Sequence, residues 1–318
     1  MGRVAWRWSL LGVVVVVLVF ACVRAPWRME AVSRQPAAQL QTLTYLNKEY
    51  QLPVKADKIV VTGALEGLED LLVLGIKPVG VMTIGGKFPV LFHEITAGAR
   101  PIGERMQPNV EAILAMKPEL IISSDKFPAA TAEQLQRIAP VIPLSHFPAD
   151  GEANLRLLGT LTGRQEQAEA VIRQYAQEAA AAKALLPEKA KTQKVVAIRI
   201  RAGNICVYPA NVFFNDILYQ EMGLPVPSEI ASVKTQEIIS LERFSKFNPD
   251  IIFLQYEASE SPAQPHVVDD LQRNPLWQSI TAVKNNQVFI NCVDPLIQGV
   301  AIGGKIQFLH AAAEKLSQ

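Results

Sequence analysis

Asn109-Val110-Glu111-Ala112-Ile113 runs through Met116 into Pro118-Glu119-Leu120-Ile121-Ile122, and Ser240-Leu241-Glu242-Arg243-Phe244 runs through Phe247 into Pro249-Asp250-Ile251-Ile252. In each stretch a glutamate is followed seven residues later by a proline, then an acidic residue, then an apolar run. The front half reads as a short helix, because the apolar positions two and five residues after the glutamate lie near one helix face. Asn109 and Ser240 are residue types that cap a helix. They put Glu111 and Glu242 in the first turn, where the helix dipole favours a carboxylate. The back half reads as a buried strand. Two such units in one chain predict two α/β lobes. By physics alone the glutamates complete N-terminal charge patterns. Their occurrence once per lobe offers a second reading, a pair of acidic knobs for a partner with two-fold symmetry.

The same alternation extends outward on both sides. Lys58-Ile59-Val60-Val61 is strand-like, residues 66–74 carry a helix pattern that stops before Gly75, and Val79-Gly80-Val81 is strand-like again. Residues 120–123 and 141–144 repeat the form around a helix over 132–138. Short apolar strands separated by helices point to parallel sheets covered on both faces. The pattern restarts at 194–201, continues through 213–222, 250–254 and 287–290, and closes with a helix over 302–316. Between the halves, residues 155–161 and 165–186 are helical. The second run has no glycine or proline before Pro187 and would span about 33 Å if continuous. That length makes a stiff strut between lobes, or else a long surface helix within one of them. The expected division is a leader over 1–21, a tether over 22–56 with some local order near Leu40 to Glu49, an N-terminal lobe over 57–154, a connecting helical backbone over 155–188 and a C-terminal lobe over 189–318.

The leader follows from the first residues. Arg3 and Arg7 precede an apolar run from Leu10 to Ala21, too short for a membrane span, which needs about 20 residues. The run stops at Val19-Phe20-Ala21-Cys22, which resembles the bacterial lipobox. Cys22 is then the lipid-bearing N-terminus, palmitate included, and the rest of the chain lies on the extracytoplasmic face of a cell membrane. Charge is nearly balanced, with 31 Lys plus Arg against 30 Asp plus Glu, so no global field draws a polyanion. No basic tail or zinc-finger spacing suggests nucleic acid. Cys206 and Cys292 are the cysteines beyond Cys22. Two in so long a chain do not form a disulfide framework.

Four segments together carry a family resemblance. They are Gly67-Leu68-Glu69-Asp70-Leu71-Leu72-Val73-Leu74-Gly75-Ile76-Lys77-Pro78-Val79-Gly80, then Ile102-Gly103 through Pro108-Asn109-Val110-Glu111, then Met116-Lys117-Pro118-Glu119-Leu120-Ile121, and finally Asn274-Pro275-Leu276-Trp277. From Asp57 onward the chain resembles the helical-backbone (class III) solute-binding lipoproteins of bacterial ABC importers, in their ferric-siderophore and iron-citrate branch. The resemblance implies two Rossmann-like lobes joined by one long helix, with the ligand cleft between them. It also implies that Glu111 and Glu242 insert into arginine-bearing pockets of a dimeric permease, which works with its ATPase.

The strand Val195-Val196-Ala197-Ile198-Arg199-Ile200-Arg201 ends in two guanidiniums two positions apart. Side chains alternate along a strand, so both leave one face, about 6 to 7 Å apart. Opening into the cleft, they make a cationic floor for an anionic chelate, with donors suited to carboxylate, hydroxamate or catecholate oxygens. Otherwise they form a solvent-facing edge paired with nearby acids. Tyr208 lays a ring on the ligand or packs within the second sheet. The loop Gly85-Gly86-Lys87-Phe88-Pro89 offers Lys87 and Phe88, Arg105 stands just before the helix at Asn109, and Tyr256 follows the strand ending at Leu254. Trp277 docks its own helix.

The four histidines, His93, His146, His266 and His310, are far apart and fit no metal motif. A siderophore fills the iron shell with its own oxygens, so no direct protein–iron ligand and no cofactor is expected. Haem needs an axial ligand, for which Met82, Met106, His266 or Tyr256 are available. Haem and cobalamin remain alternatives, as do a non-transport lipoprotein and an enzyme. Against an enzyme, there is no nucleophile elbow, no acid–base constellation and no dinucleotide fingerprint, and no catalytic residue is named. The expected protein is a monomer that captures a ferric siderophore. Hydroxamate or mixed citrate-hydroxamate ligands are favoured by the moderate basic count, and a single-membrane cell by the resemblance.

Overall fold

The computed structural model describes residues 39–317. The leader, Cys22 and the first part of the expected tether lie outside the described residues. Strands β1 (Leu40–Tyr45) and β2 (Lys48–Pro53) form an antiparallel hairpin across Leu46 and Asn47, whose φ angles are 47° and 62°. Two left-handed residues suit a two-residue hairpin turn. The local order expected near Leu40 to Glu49 is present, but it extends to Pro53 as a docked hairpin, so this part of the chain is not a free tether. Tyr45 and Leu52 are buried. The Tyr45 hydroxyl donates to Asn154 and accepts from the Ser145 amide, and the Ala56 amide donates to the Leu161 carbonyl at 2.8 Å.

A six-stranded sheet follows, built from β3 (Ile59–Val61), β4 (Gly80–Thr83), β5 (Arg100–Glu104), β6 (Gln107–Pro108), β7 (Leu120–Ser124) and β8 (Val141–Leu144). Its spatial order is β6-β5-β4-β3-β7-β8, parallel except for β6. The chain thus leaves β3 to one side for β4 and returns to its other side for β7. Such a switch opens a crevice at the carboxyl ends of the strands. Alternation places Ile59, Val61, Leu120 and Ile122 in the main core. Val60 and Ile121 point into a smaller core with Ile102, Ile113 and Leu135. A sheet buried on both faces needs such continuous apolar strands.

The second sheet comprises β9 (Val195–Arg201), β10 (Asn204–Val207), β11 (Glu237–Ile239), β12 (Ile251–Tyr256) and β13 (Val288–Ile290). Its order is β11-β10-β9-β12-β13. The parallel core β9-β12-β13 agrees with the expectation, whereas β10 pairs antiparallel with both β9 and β11. The helix Gln165–Leu185 lies in the chain between the two sheets and packs on the helices Gly151–Thr162 and Ile302–Leu316.

The repeat is a structural one. Asn109 caps the helix Val110–Met116 by accepting from the Ala112 amide at 2.9 Å, and Ser240 caps Leu241–Phe247 from the Arg243 amide at 3.2 Å. Both helices end in a left-handed residue, Lys117 (φ 48°) and Asn248 (φ 45°). The acid beyond the proline has a definite task. Glu119 accepts from the amides of Asp57 and Lys58 at 2.8 and 3.0 Å, and Asp250 accepts from the Lys194 amide at 2.7 Å. Each carboxylate thereby pins the start of the central strand of its sheet.

The helix Leu65–Val73 carries an unusual face. Glu66, Glu69 and Asp70 are all buried, and among the described residues Glu69 Oε2 and both Asp70 oxygens lack a hydrogen-bond partner. Glu69 lies against Gly304 on the C-terminal helix, where a Cβ would stand 2.2 Å from its Oε2. Burial pushes all three carboxyls above their ordinary range. Among the described residues, no helix is long and apolar enough to cross a membrane.

Candidate functional site

A cavity of about 680 Å³ is walled by residues of both sheets, a size typical of small-molecule sites. Arg105, Lys126 and His146 reach it from just beyond the carboxyl ends of β5, β7 and β8. Arg199 and Arg201 close it from the end of β9, with Lys234 from the loop before β11 and Tyr208 from just after β10. The described lining residues thus include five cations, Arg105, Lys126, Arg199, Arg201 and Lys234, and one carboxylate, Glu260.

The two sides hold their charges differently. Arg105 donates through Nε to the Gly63 carbonyl at 3.4 Å. Burial lowers its pKa and that of Lys126, and the nearby Glu66 carboxyl works against the shift in both. Arg199 and Arg201 leave one face of β9, as strand alternation requires. Arg199 Nε donates to Glu260 Oε2 at 2.8 Å, and Arg201 Nε stands 3.7 Å from Glu260 Oε1. The side chain of Arg199 is 4% exposed and that of Arg201 49%. Both arginines line the cavity, and Glu260 pairs with them there, so the pair is not a solvent-facing edge at Arg199. Tyr208, 7% exposed, packs on Phe213 with ring centroids 4.8 Å apart. Burial pushes its phenol up to about 12, so it stays neutral and adds no negative charge.

Of the chelate-binding residues named from sequence, Arg105, Arg199, Arg201 and Tyr208 line the cavity, whereas Lys87, Phe88 and Tyr256 do not; Met106, named for haem, also lines it. Lys87 closes a turn in which the Ile84 amide donates to its carbonyl at 2.9 Å. Glu104 accepts from the Gly85 and Gly86 amides at 3.0 and 2.7 Å, fixing that turn and leaving Lys87 exposed. Phe88 packs on the core. Tyr256 pairs with Ile200, so alternation turns it away from the face that carries both arginines, and its hydroxyl donates to the Pro265 carbonyl at 3.3 Å. Glu111 and Glu242 are exposed in the first turns of their helices.

Lys126, Lys234 and Glu260 were not singled out by the sequence. Lys126 had a usable signal, since it stands two residues past a parallel strand, where α/β sheets bind ligands. Lys234 lies in a loop and Glu260 ends the short 3-10 turn Ala258–Glu260, and neither carries such a marker. Among the described residues Cys206 and Cys292 are free thiols, and no three His, Cys, Asp or Glu side chains cluster to hold a metal.

Two α/β sheets that jointly wall a charged cavity define a solute-binding architecture. Residues 60–291 match the family described as periplasmic binding protein, and the chain belongs to that family. It is 43% identical over 282 residues to the iron-uptake system-binding protein of Bacillus subtilis, covering 89% of each chain. Among solved structures it matches the triscatecholate siderophore binding protein FeuA from Bacillus subtilis in complex with ferri-bacillibactin. There the TM-score is 0.84 at 44% identity, over 87% of this chain and 98% of that one. The Fe(3+)-citrate-binding protein YfmC of Bacillus subtilis is more distant, 27% identical over 238 residues, 73% of this chain and 72% of its own.

Proposed function

We propose that this chain captures a ferric siderophore of the triscatecholate class outside the cytoplasm and delivers it to an ABC permease. The observation that carries the reading is the cavity's charge, five cations to one carboxylate, drawn from both sheets. A ferric triscatecholate is trianionic and coordinatively saturated, so the protein needs to recognise only its outer oxygens. Arg105, Lys126, Arg201 and Lys234 supply donors, Tyr208 and Phe213 supply ring faces, and no side chain ligates iron. No covalent step is required, so the protein acts as a carrier and not as an enzyme. The 44% identity to a triscatecholate binder moves the ligand class from the hydroxamates favoured by sequence to catecholates. Haem draws less support: of its four candidate axial ligands Met106 alone lines the cavity, whereas Met82 is buried with its sulfur against the Gly63 amide and His266 and Tyr256 lie outside.

In this reading the lobes over 57–154 and 189–318 close on the chelate about the 155–188 backbone. Glu111 and Glu242 then present the loaded form to a dimeric permease and its ATPase. The chain acts as a monomer, held by lipid on Cys22 to the extracytoplasmic face of the cell membrane. The test is calorimetric titration of the intact chain with ferri-bacillibactin, ferric citrate, a ferric trihydroxamate, haem and cobalamin. Heat is the suitable signal, because Trp277 stacks on Phe244 at 6.0 Å and does not line the cavity. Saturable sub-micromolar binding of ferri-bacillibactin is expected, with citrate weaker. Tight binding of haem or cobalamin alone would overturn the chelate class, and no binding at all would overturn the transport reading.

A further inference from the structure

The cavity that attracts an anion also contains one. Glu260 is the single carboxylate among the described residues that line it. It is placed between the two arginines, 2.8 Å from Arg199 Nε and 3.7 Å from Arg201 Nε. Its backbone is anchored. The Ala202 amide donates to the Glu260 carbonyl at 2.9 Å, and the Gly203 amide donates to the Ser261 hydroxyl at 3.3 Å. Gly203 permits that approach, since φ is +75° and a Cβ would meet Gln264 Oε1 at 1.7 Å. The loop is thus clipped to the β9–β10 turn, while the 16%-exposed carboxylate reaches into the cavity. Its grip is uneven. Arg199 is buried and hydrogen-bonded, whereas Arg201 is half exposed and beyond hydrogen-bond distance.

We propose that Glu260 is a built-in stand-in for the ligand: in the empty cavity it neutralises the β9 arginine pair, and an incoming anionic chelate competes with it for Arg201. The inference rests on the anion-binding reading of this cavity and deepens it. Without a counter-charge the buried Arg199 guanidinium would lose its ionic partner. With one, the same carboxylate repels every anion that enters. The empty state gains stability at the expense of affinity, a trade that a purely structural salt bridge would not make.

The experiment pairs two readouts on the intact chain and its Glu260→Gln and Glu260→Asp variants: thermal midpoint without ligand, and calorimetric affinity for ferri-bacillibactin. For Glu260→Gln the midpoint is expected to fall by several degrees and the affinity to rise by about tenfold, as removal of one nearby like charge at intermediate dielectric implies. Glu260→Asp, which keeps the charge, is expected to retain native-like affinity. A fall in both midpoint and affinity would make Glu260 a positioning residue for the arginines and overturn the proposal, and so would unchanged affinity. If the native chain itself fails to bind ferri-bacillibactin, the functional reading fails first and the inference falls with it. That outcome differs from a native chain that binds and a variant that does not gain.

Discussion

Asn109 and Ser240 cap helices of the same length, Lys117 and Asn248 end them in the same left-handed turn, and Glu119 and Asp250 hold the amides that start the neighbouring strands. On their outer surfaces the two copies part. Leu114, 57% exposed, and Ala115 follow Glu111 at the positions where Ser245 and Lys246 follow Glu242. What the copies share inside is explained by hydrogen bonds that the fold requires. What they share outside is the glutamate alone, on surfaces otherwise unlike each other. A scaffold role accounts for the caps and the strand pins. An exposed carboxylate repeated on dissimilar surfaces fits a common partner with two equivalent pockets.

The sharpest break between those roles comes from Glu111→Ala with Glu242→Ala. Cellular uptake of ferri-bacillibactin is expected to be abolished while calorimetric affinity stays within about twofold, less than the tenfold that one good contact contributes. Loss of affinity in the double variant would remove the docking role. A second contrast lies within the cavity, between a buried arginine and an exposed one. Arg201→Gln is expected to weaken chelate binding by at least about tenfold with little change in melting temperature. Arg199→Gln should chiefly lower the melting temperature, because Glu260 then loses its hydrogen-bonded partner. Equal effects of the two on both readouts would erase the distinction.

The strand pins make a smaller, paired prediction. Asp250→Ala and Glu119→Ala are each expected to cost about 1–3 kcal/mol in denaturant unfolding, the usual range for stranded backbone donors. Neither should change the chelate affinity of the folded protein.

The smallest effect separates the buried acids from the pins. Glu66, Glu69 and Asp70 have carboxyl pKa values raised by burial, so the native state holds protons that the unfolded chain releases. Their contribution is fully present below the ordinary carboxylate values near ~4 and is lost as pH rises through the raised native values. Melting scans between pH 5 and 8 should show the native protein losing stability relative to Asp70→Asn as pH rises. A parallel pair of curves would mean that Asp70 is already ionised.

Much of the fold was legible because it obeys local rules. The helix over 302–316 matches Ile302–Leu316, and the long backbone helix differs from its expected extent by one residue, at Leu186. Hydrophobic period and proline placement suffice for such elements. The hairpin before β3 was legible only as local order near Leu40 to Glu49, since Gln41, Thr42, Thr44, Glu49 and Gln51 give no buried face until Tyr45 finds Asn154. In the site, Arg199 and Arg201 were readable from strand alternation. The same rule, applied across the β9–β12 pairing, would have excluded Tyr256, but the register is known only once the sheet is formed. Lys234 reaches the arginines' cavity, and Glu260 the arginines themselves, along connections whose paths no local pattern encodes, and Lys87 was misplaced because Glu104 fixes its turn from another strand.

The central claim is that cations from both lobes capture one trianionic ferric chelate. Its most direct test is equilibrium binding of ferri-bacillibactin to the intact chain beside the Lys126→Gln/Arg201→Gln variant, which loses one cation from each side. Saturable one-to-one binding by the native chain is expected, weakened by about a hundredfold in the variant, as two lost charged contacts imply, with the variant's melting temperature near native. Equal affinity in the two proteins, or none in the native chain, would contradict the account.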